Sequence, residues 1–383
     1  MADSAAHGHG FLDSGQKTVF PPGYPALLAI LIRAGLAHPW AIVGLNMVLL
    51  SVGLVAAYAL LIREFFQDKA VVLLICSLFL LSFVVVKHST MPLTDVPFFC
   101  SSTCCLAIIS QTTKMDWNRR FAILAAAACL SAAAAITMRR VGVALVPPLV
   151  FMIVCNAQFK PLLKRLSPGT KLIIVVACAF VAVATAQLIT QTSTLSDFIA
   201  AANETRIFTL ALQTLSYRLT ELGELLVNIP VSKLPTTVHA MVPWIGLLPL
   251  LLTLFGLATK RREIGPTEVF LVCYMVILFA WPYYDTRFWL PVIPLLIAYS
   301  ALAITSFKLP NGVITTYCSV FAACGFVAIA YSTRISFAGT EFPDRYGDGT
   351  LRPTYCAAFQ SCRGGGDSDK VDAKVLHLLQ EYN

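Results

Sequence analysis

Long runs of apolar residues constrain the fold of this chain more than any other feature of its sequence. Only 13% of its 383 residues are charged, against about 25% in a typical soluble domain, and the mean hydropathy is +0.76. A segment buried in a membrane must satisfy its backbone hydrogen bonds internally, which a helix of about 20 apolar residues does. The sequence therefore predicts an all-α, polytopic membrane protein.

The apolar runs predict that residues 1–332 form one bundle of about ten membrane-spanning helices. The expected spans are 40–62, 70–86, 95–113, 121–138, 141–158, 172–190, 243–259, 266–282, 288–307 and 313–332. Residues 24–36 are apolar but too short to cross, so we expect an interfacial helix that completes an outer loop within 1–39. Residues 191–242 are expected to form a long outer loop with amphipathic helices lying on the membrane. The polar residues 333–383 predict a small soluble tail.

The placement of basic residues predicts the orientation of the bundle. Lys and Arg are concentrated in five short loops, at 63–69, 114–120, 160–171, 260–262 and 308. Such loops face the cytoplasm in most membrane proteins. The net charge of +8 is therefore explained by topology, and no nucleic-acid partner is expected. The 191–242 loop and the tail are expected on the outer face.

The twelve cysteines give no indication of a metal site. Ten of them lie in or beside apolar spans, where a thiol acts as a small buried hydrophobe. Cys104 and Cys105 have no partner at metal-ligand spacing. Cys356 and Cys362 lie in the polar tail and can form a disulfide if that tail faces an oxidising compartment. No metal ligand is assigned, and the question of a divalent cation stays open.

A rigid stretch at residues 19–25, Val-Phe-Pro-Pro-Gly-Tyr-Pro, leads directly into an apolar run. Each proline fixes its own φ and lacks an N–H, while Gly23 permits a turn where a side chain would clash. One interpretation is a stop before a helix that accommodates proline in its first turn. The other is an elbow on the outer side that holds Tyr24 at the mouth of a site.

Charged residues at the outer ends of two spans are candidates for chemistry. Asp95 opens a span, either as a helix cap or as a carboxylate held at the membrane boundary for acid–base work. Arg139 and Arg140 occupy a tight turn between spans. They act either as anchors at lipid headgroups or as binders of a phosphate, to which guanidinium groups bond in bidentate geometry.

The segment 281–294 combines aromatic residues with two charges. An aromatic belt at the membrane boundary accounts for its Trp and Tyr residues, including Tyr284. It does not account for Asp285 and Arg287. These two side chains either pair with each other or bind an anionic ligand.

Taken in order, these stretches resemble the GT-C superfamily of integral-membrane glycosyltransferases, especially glycosyltransferase family 39. That branch includes the protein O-mannosyltransferases and the lipid A aminoarabinose transferases. The stretches of sequence that resemble the family are residues 20–29, 93–98 and 284–291, and the resemblance covers roughly residues 5–330. It implies a GT-C-like bundle that moves a sugar from a polyprenyl-phosphate donor to a hydroxyl or phosphate acceptor. The acceptor would be a glycan, a lipid or a protein.

The resemblance also implies roles for single residues. Asp95 matches the second acidic residue of the family's site and is the candidate catalytic residue. Arg287 is the first candidate for binding the donor phosphate. The other candidate substrate-binding residues are Arg139, Arg140, Tyr24, Tyr284 and Asp285. The implied location is the bacterial inner (plasma) membrane, among its lipids, with the active face outward.

Members of this family carry a full span and a loop that opens with a catalytic acid before the elbow. This chain has the short polar stretch 1–10 in that place. Two interpretations follow: the true start lies further upstream, or the chain is inactive and is a non-catalytic relative that binds a polyprenyl lipid or a partner protein. A transporter is a third hypothesis, and the apolar mid-span regions argue against it.

Overall fold

The computed structural model describes residues 1–13, 16–17, 21–36, 38–113, 115, 119–154, 207–260, 264–281, 283–307 and 309–336. These residues are helical apart from turns and a two-residue antiparallel ladder between β1 (Leu12–Asp13) and β2 (Gln16–Lys17). The first seven α-helices are α1 Ala2–Ala6, α2 Gly23–Arg33, α3 Pro39–Glu64, α4 Lys69–Leu80, α5 Phe83–Ser89, α6 Asp95–Thr112 and α7 Arg119–Met138. The other seven are α8 Val146–Val154, α9 Ile207–Val227, α10 Thr236–His239, α11 Val242–Thr259, α12 Pro266–Ala280, α13 Ile293–Phe307 and α14 Asn311–Ser336. Three 3-10 segments interrupt them, at Arg140–Leu145, Val231–Lys233 and Thr286–Val292.

Five helical stretches of the described chain are long and apolar enough to cross a membrane. They are Trp40–Glu64, Arg119–Met138, Thr236–Thr259, Thr286–Phe307 and Asn311–Arg334. The pair α4 and α5, bent by 59°, would make a sixth. The helical character expected of a membrane protein is confirmed, whereas a bundle of about ten spans is not.

The remaining expected spans are shorter, more polar or outside the described residues. Helix α2, the stretch Arg140–Val154 and helix α12 are apolar but shorter than a span. The expected span 172–190, the segment 191–206 and nearly all of the tail, with Cys356 and Cys362, lie outside the described part of the chain.

Helix α6 packs against α3 and α7 along its length. Its side chains are buried even where they are polar, as Ser102, Thr103 and Ser110 show. Helix α6 therefore tolerates a more polar composition than a span that faces lipid, because other helices surround it.

Helix α9 differs from the expectation for residues 191–242. A helix lying on the membrane would turn its charged side chains to water. Instead Arg218 and Glu221 have no exposed surface, and Glu224 is 3% exposed. Helix α9 packs along α11 so closely that the two backbones touch: a Cβ at Gly246 of α11 would overlap the carbonyl of Leu219 of α9. The charged face of α9 is thus directed into the protein.

Asn228, which follows α9, holds the break between α4 and α5. Its Oδ1 accepts a hydrogen bond from the Phe83 N–H at 2.7 Å, and its Nδ2 donates to the Leu81 carbonyl at 2.9 Å. Nδ2 also donates to the Phe321 carbonyl in α14 at 3.0 Å. Asn228 has a φ of 61°, a left-handed conformation that asparagine adopts more readily than most residues. One side chain therefore replaces backbone hydrogen bonds that the bend removes.

Candidate functional site

The Asp95 carboxylate forms an ion pair with Arg139, which lies where α7 ends. Asp95 is the first residue of α6, and its side chain is 1% exposed. Arg139 directly follows α7, with extended backbone geometry, and its N–H donates to the Ala135 carbonyl at 2.9 Å. The junction between α7 and the 3-10 segment therefore turns this guanidinium towards the start of α6.

A second ion pair lies at the start of the 3-10 segment Thr286–Val292. Asp285 caps this segment, and its Oδ1 accepts from the Arg287 N–H at 3.1 Å. Its Oδ2 lies 2.5 Å from the Arg287 Nε, and both side chains are 24% exposed. This pair is more accessible than the pair formed by Asp95 and Arg139.

The two ion pairs meet at the ring of Phe288. The Arg139 guanidinium carbon lies 4.8 Å from the ring centroid, and that of Arg287 lies 5.5 Å from it. Both distances are typical of cation–π contacts. We call the four charged residues Asp95, Arg139, Asp285 and Arg287 the ion-pair cluster. Side chains predicted separately from three stretches of sequence are thus brought together.

His88 adds a group that the sequence analysis did not assign to the site. It lies close enough to Asp95, Arg139 and Arg287 to interact electrostatically with each of them. Its side chain is buried, and Nδ1 has no hydrogen-bond partner among the described residues. The sequence offered a weak signal, because a histidine beside Lys87 is unusual near the end of an apolar run.

The elbow at residues 21–25 is linked to the stretches of chain that precede Asp95 and Arg139. Tyr24 is buried, and its hydroxyl donates to Asn46 Oδ1 at 3.4 Å. Asn46 Nδ2 in turn donates to the carbonyls of Ser89 at 3.2 Å and Met91 at 2.8 Å, in the segment before α6. Asn46 thus links Tyr24 to the polypeptide that leads to Asp95.

Gly23 brings the elbow against the end of α7. A Cβ at this position would lie 2.6 Å from the carbonyl oxygen of Thr137, two residues before Arg139. No real side chain tolerates that distance to a backbone atom without a shift of the chain. The glycine is therefore required by this contact.

Arg140 and Tyr284 lie next to the cluster in the chain. Arg140 is half-buried at the first residue of its 3-10 segment, while its neighbour Arg139 makes the ion pair with Asp95. The Tyr284 ring packs edge-on against Tyr217 of α9, with centroids 5.8 Å apart. Burial raises the pKa of the Tyr284 hydroxyl, which therefore stays protonated at neutral pH.

The four members of the cluster carry two negative and two positive formal charges. Burial raises the pKa of Asp285, and the neighbouring Arg287 opposes that shift. A guanidinium whose partner is a carboxylate can exchange it for a phosphate, because both anions accept paired hydrogen bonds. The cluster therefore has the composition of an anion-binding site with carboxylates beside it.

No group of three or more His, Cys, Asp or Glu side chains is arranged to hold a metal ion within the ranges given above. Asp95 and Asp285 are each paired with an arginine instead.

A second polar network lies near the other end of α6. Lys260 contacts Glu268 at 2.9 Å and donates to the Glu64 carbonyl at 3.0 Å. The Tyr299 hydroxyl donates to Glu268 at 2.6 Å, and Ser110 of α6 bonds to Glu64. Ser110 is 15 residues from Asp95, about 22 Å along a helix that rises 1.5 Å per residue. This network ties α3, α6 and α13 together and is separate from the ion-pair cluster.

Comparison of the chain with models of protein families, with curated proteins and with solved structures found no match.

Proposed function

We propose that this protein is a membrane glycosyltransferase of the GT-C type. It would move a sugar from a polyprenyl-phosphate donor to a hydroxyl or phosphate acceptor on a glycan, a lipid or a protein. One observation carries the proposal: two arginines and two carboxylates from three separate stretches converge around Phe288. Transfer from a phosphate-linked sugar requires cations for the leaving group and a carboxylate for the acceptor.

In the proposed reaction the leaving group is bound by Arg287, the more exposed arginine of the cluster. The acceptor oxygen attacks the anomeric carbon, and the bond from that carbon to the phosphate oxygen breaks. Negative charge then develops on the polyprenyl phosphate, and a fixed guanidinium lowers the energy of that charge. The acceptor hydroxyl loses its proton to a carboxylate, for which Asp95 is the candidate.

The ion pairs define the resting state of this proposal. Asp95 and Arg139 are almost fully buried, and an unpaired charge there would carry a large desolvation cost. Pairing removes that cost until a donor phosphate arrives. The phosphate then shares the arginines, and a carboxylate released from its partner becomes free to accept a proton.

The proposal is tested with purified protein in lipid nanodiscs and a polyprenyl-phosphate-linked sugar. We expect the parent to bind the donor and to transfer its sugar, and Arg287→Ala and Asp95→Asn each to lower transfer by about tenfold or more. Arg334→Ala, which removes an exposed arginine in the last turn of α14, is the matched control and should transfer like the parent. Unchanged transfer in both cluster variants would remove these residues from the site.

The proposed orientation places the cluster on the outer face of the bacterial inner membrane. The concentration of basic residues in short loops supports it. A reporter fused after Thr259 should then read cytoplasmic, because that position lies at the end of α11 next to such a loop. An external signal from this fusion would reverse the assignment of faces.

A further inference from the structure

Three charged side chains on one face of α9 contact the segment 283–289, which carries Asp285 and Arg287. They are Arg218, Glu221 and Glu224, at spacings of three residues along the helix. We propose that Glu221 is a positioning residue that fixes this segment so that Arg287 is presented to the donor phosphate. The role in donor binding rests on the proposed function, whereas the fixing of the segment does not.

Glu221 uses both of its carboxylate oxygens to hold the segment at two points. Oε1 accepts from the Asp285 N–H at 2.6 Å, and Oε2 accepts from the Trp289 Nε1–H at 2.7 Å. These donors lie on the two sides of Arg287 in the chain. The backbone that carries Arg287 is therefore fixed before and after it by one carboxylate.

The neighbouring charges on α9 support the same segment. Arg218 lies 2.8 Å from Glu221 Oε2 and also donates to the Tyr283 carbonyl. Glu224 accepts from the Thr286 hydroxyl and, at 2.5 Å, from the Val231 N–H. Four residues of the segment thus bond to α9: the Tyr283 carbonyl accepts a hydrogen bond, whereas Asp285, Thr286 and Trp289 donate one each.

This arrangement carries a cost that a purely apolar contact would not have. Burying a charged pair such as Arg218 and Glu221 gives little net stability compared with apolar side chains of the same volume. The buried charges instead restrict geometry, because hydrogen bonds to a carboxylate hold the donor groups within a narrow range of positions. A segment that must aim a guanidinium needs that restriction.

Two further hydrogen bonds of the segment do not involve α9. Tyr274 of α12 donates to the Phe288 carbonyl at 2.5 Å, and the Arg287 N–H bonds to the adjacent Asp285. The latter bond is local and moves with the segment. Glu221 is therefore the one of these side chains that bonds to the segment on both sides of Arg287.

The test measures amide exchange of the segment 283–289 and the affinity for polyprenyl phosphate, in nanodiscs of the full chain. In Glu221→Gln an amide NH₂ group replaces one of the two accepting oxygens, so either the Asp285 N–H or the Trp289 Nε1–H faces another donor. We expect exchange at Asp285 to accelerate about tenfold or more and affinity to fall about tenfold, the factor that corresponds to about 1.4 kcal/mol. Glu221→Asp keeps the charge and should recover part of both losses. Gln67→Glu makes the reverse change, from amide to carboxylate, at an exposed position between α3 and α4 and should leave both unchanged.

A second variant guards against misfolding of Glu221→Gln, which leaves Arg218 without its charge partner. Trp289→Phe keeps both charges and removes the Nε1–H donor together with part of a buried ring. It should accelerate exchange in the segment several-fold, in the same direction as Glu221→Gln. Unchanged exchange in both variants would overturn the positioning role, as would faster exchange with undiminished affinity. A parent that binds no polyprenyl phosphate, combined with a loosened segment in the variants, supports the fixing by Glu221 and counts against the proposed function.

Discussion

Replacing Asn228 should destabilise the bend between α4 and α5, because its side chain serves backbone groups on both sides of the break. The Phe83 N–H and the Leu81 carbonyl both bond to it, at 2.7 and 2.9 Å. The variant Asn228→Gly removes these bonds and keeps the left-handed backbone free of strain, since glycine adopts positive φ readily. It therefore isolates the hydrogen bonds from the conformational effect.

The expected magnitude follows from the three groups that lose their partner, the Phe83 N–H and the carbonyls of Leu81 and Phe321. A buried donor or acceptor without a partner costs about 1–3 kcal/mol, so Asn228→Gly should lower the free energy of unfolding by about 3 kcal/mol. Asn228→Leu should lower it by about 1 kcal/mol more, because a side chain with positive φ is strained. Asn228→Asp keeps an acceptor for Phe83 but places a carboxylate oxygen against two carbonyl oxygens. It should be at least as unstable as the glycine variant.

The free energy of unfolding is measured in detergent micelles by titration with a denaturing detergent and circular dichroism. Amide exchange at Phe83 provides a local readout, and it should accelerate in Asn228→Gly and Asn228→Leu, which remove the acceptor of this N–H. If Asn228→Gly unfolds within about 0.5 kcal/mol of the parent, with unchanged exchange at Phe83, the side chain is dispensable and the reasoning is refuted. That threshold is the usual size of an inconsequential surface substitution.

Three further predictions concern the elbow, the second polar network and the ion-pair cluster. Gly23→Ala should lower stability and donor binding by displacing the elbow from the end of α7, whereas Gly44→Ala, at a glycine with open space around its Cβ, should do neither. Tyr299→Phe removes a hydrogen bond to Glu268 and should cost about 1.5–3 kcal/mol in the same unfolding assay, the range for bonds to charged groups; a loss below 0.5 kcal/mol would contradict this. Because the folded-state pKa of Asp285 is raised, its contribution to stability is full at acidic pH and is lost as the pH rises through that pKa. The unfolding free energy of the parent relative to Asp285→Asn should therefore fall as the pH rises from the ordinary pKa of an aspartate to the raised pKa of the folded state. A difference that does not change with pH would argue against a raised pKa.

The charged residues of the cluster could be predicted from the sequence because charges at the ends of apolar runs are conspicuous. Asp95, Arg139 and Arg287 all occupy such positions. Their pairing could not be predicted in the same way. The ion pair between Asp95 and Arg139 joins residues 44 apart, and it depends on how α6 and α7 pack.

The charges of α9 show why a sequence pattern can point the wrong way. Charged residues in a long interval between apolar runs are typical of a helix exposed to water. In the structure they are buried, because Glu221 is bonded to a segment 64 residues later in the chain. The prediction of about ten spans is not confirmed for a related reason. Hydropathy indicates apolar character, but it does not show that Pro266–Ala280 is only 15 residues long or that α4 and α5 are bent.

The burial of three charges on α9 also constrains the order of biosynthesis. When α9 leaves the ribosome, the donors in the segment 283–289 that bond to Glu221 and Glu224 have not been translated. Arg218 balances only one of the two carboxylates, and a helix with a net charge enters a bilayer poorly, so α9 has to wait at the membrane surface or in the insertion machinery. Its entry becomes favourable only when α12 and the following segment emerge. The cluster is therefore completed late, and a chain stopped before Tyr283 would expose α9 as a recognisable signal for quality control.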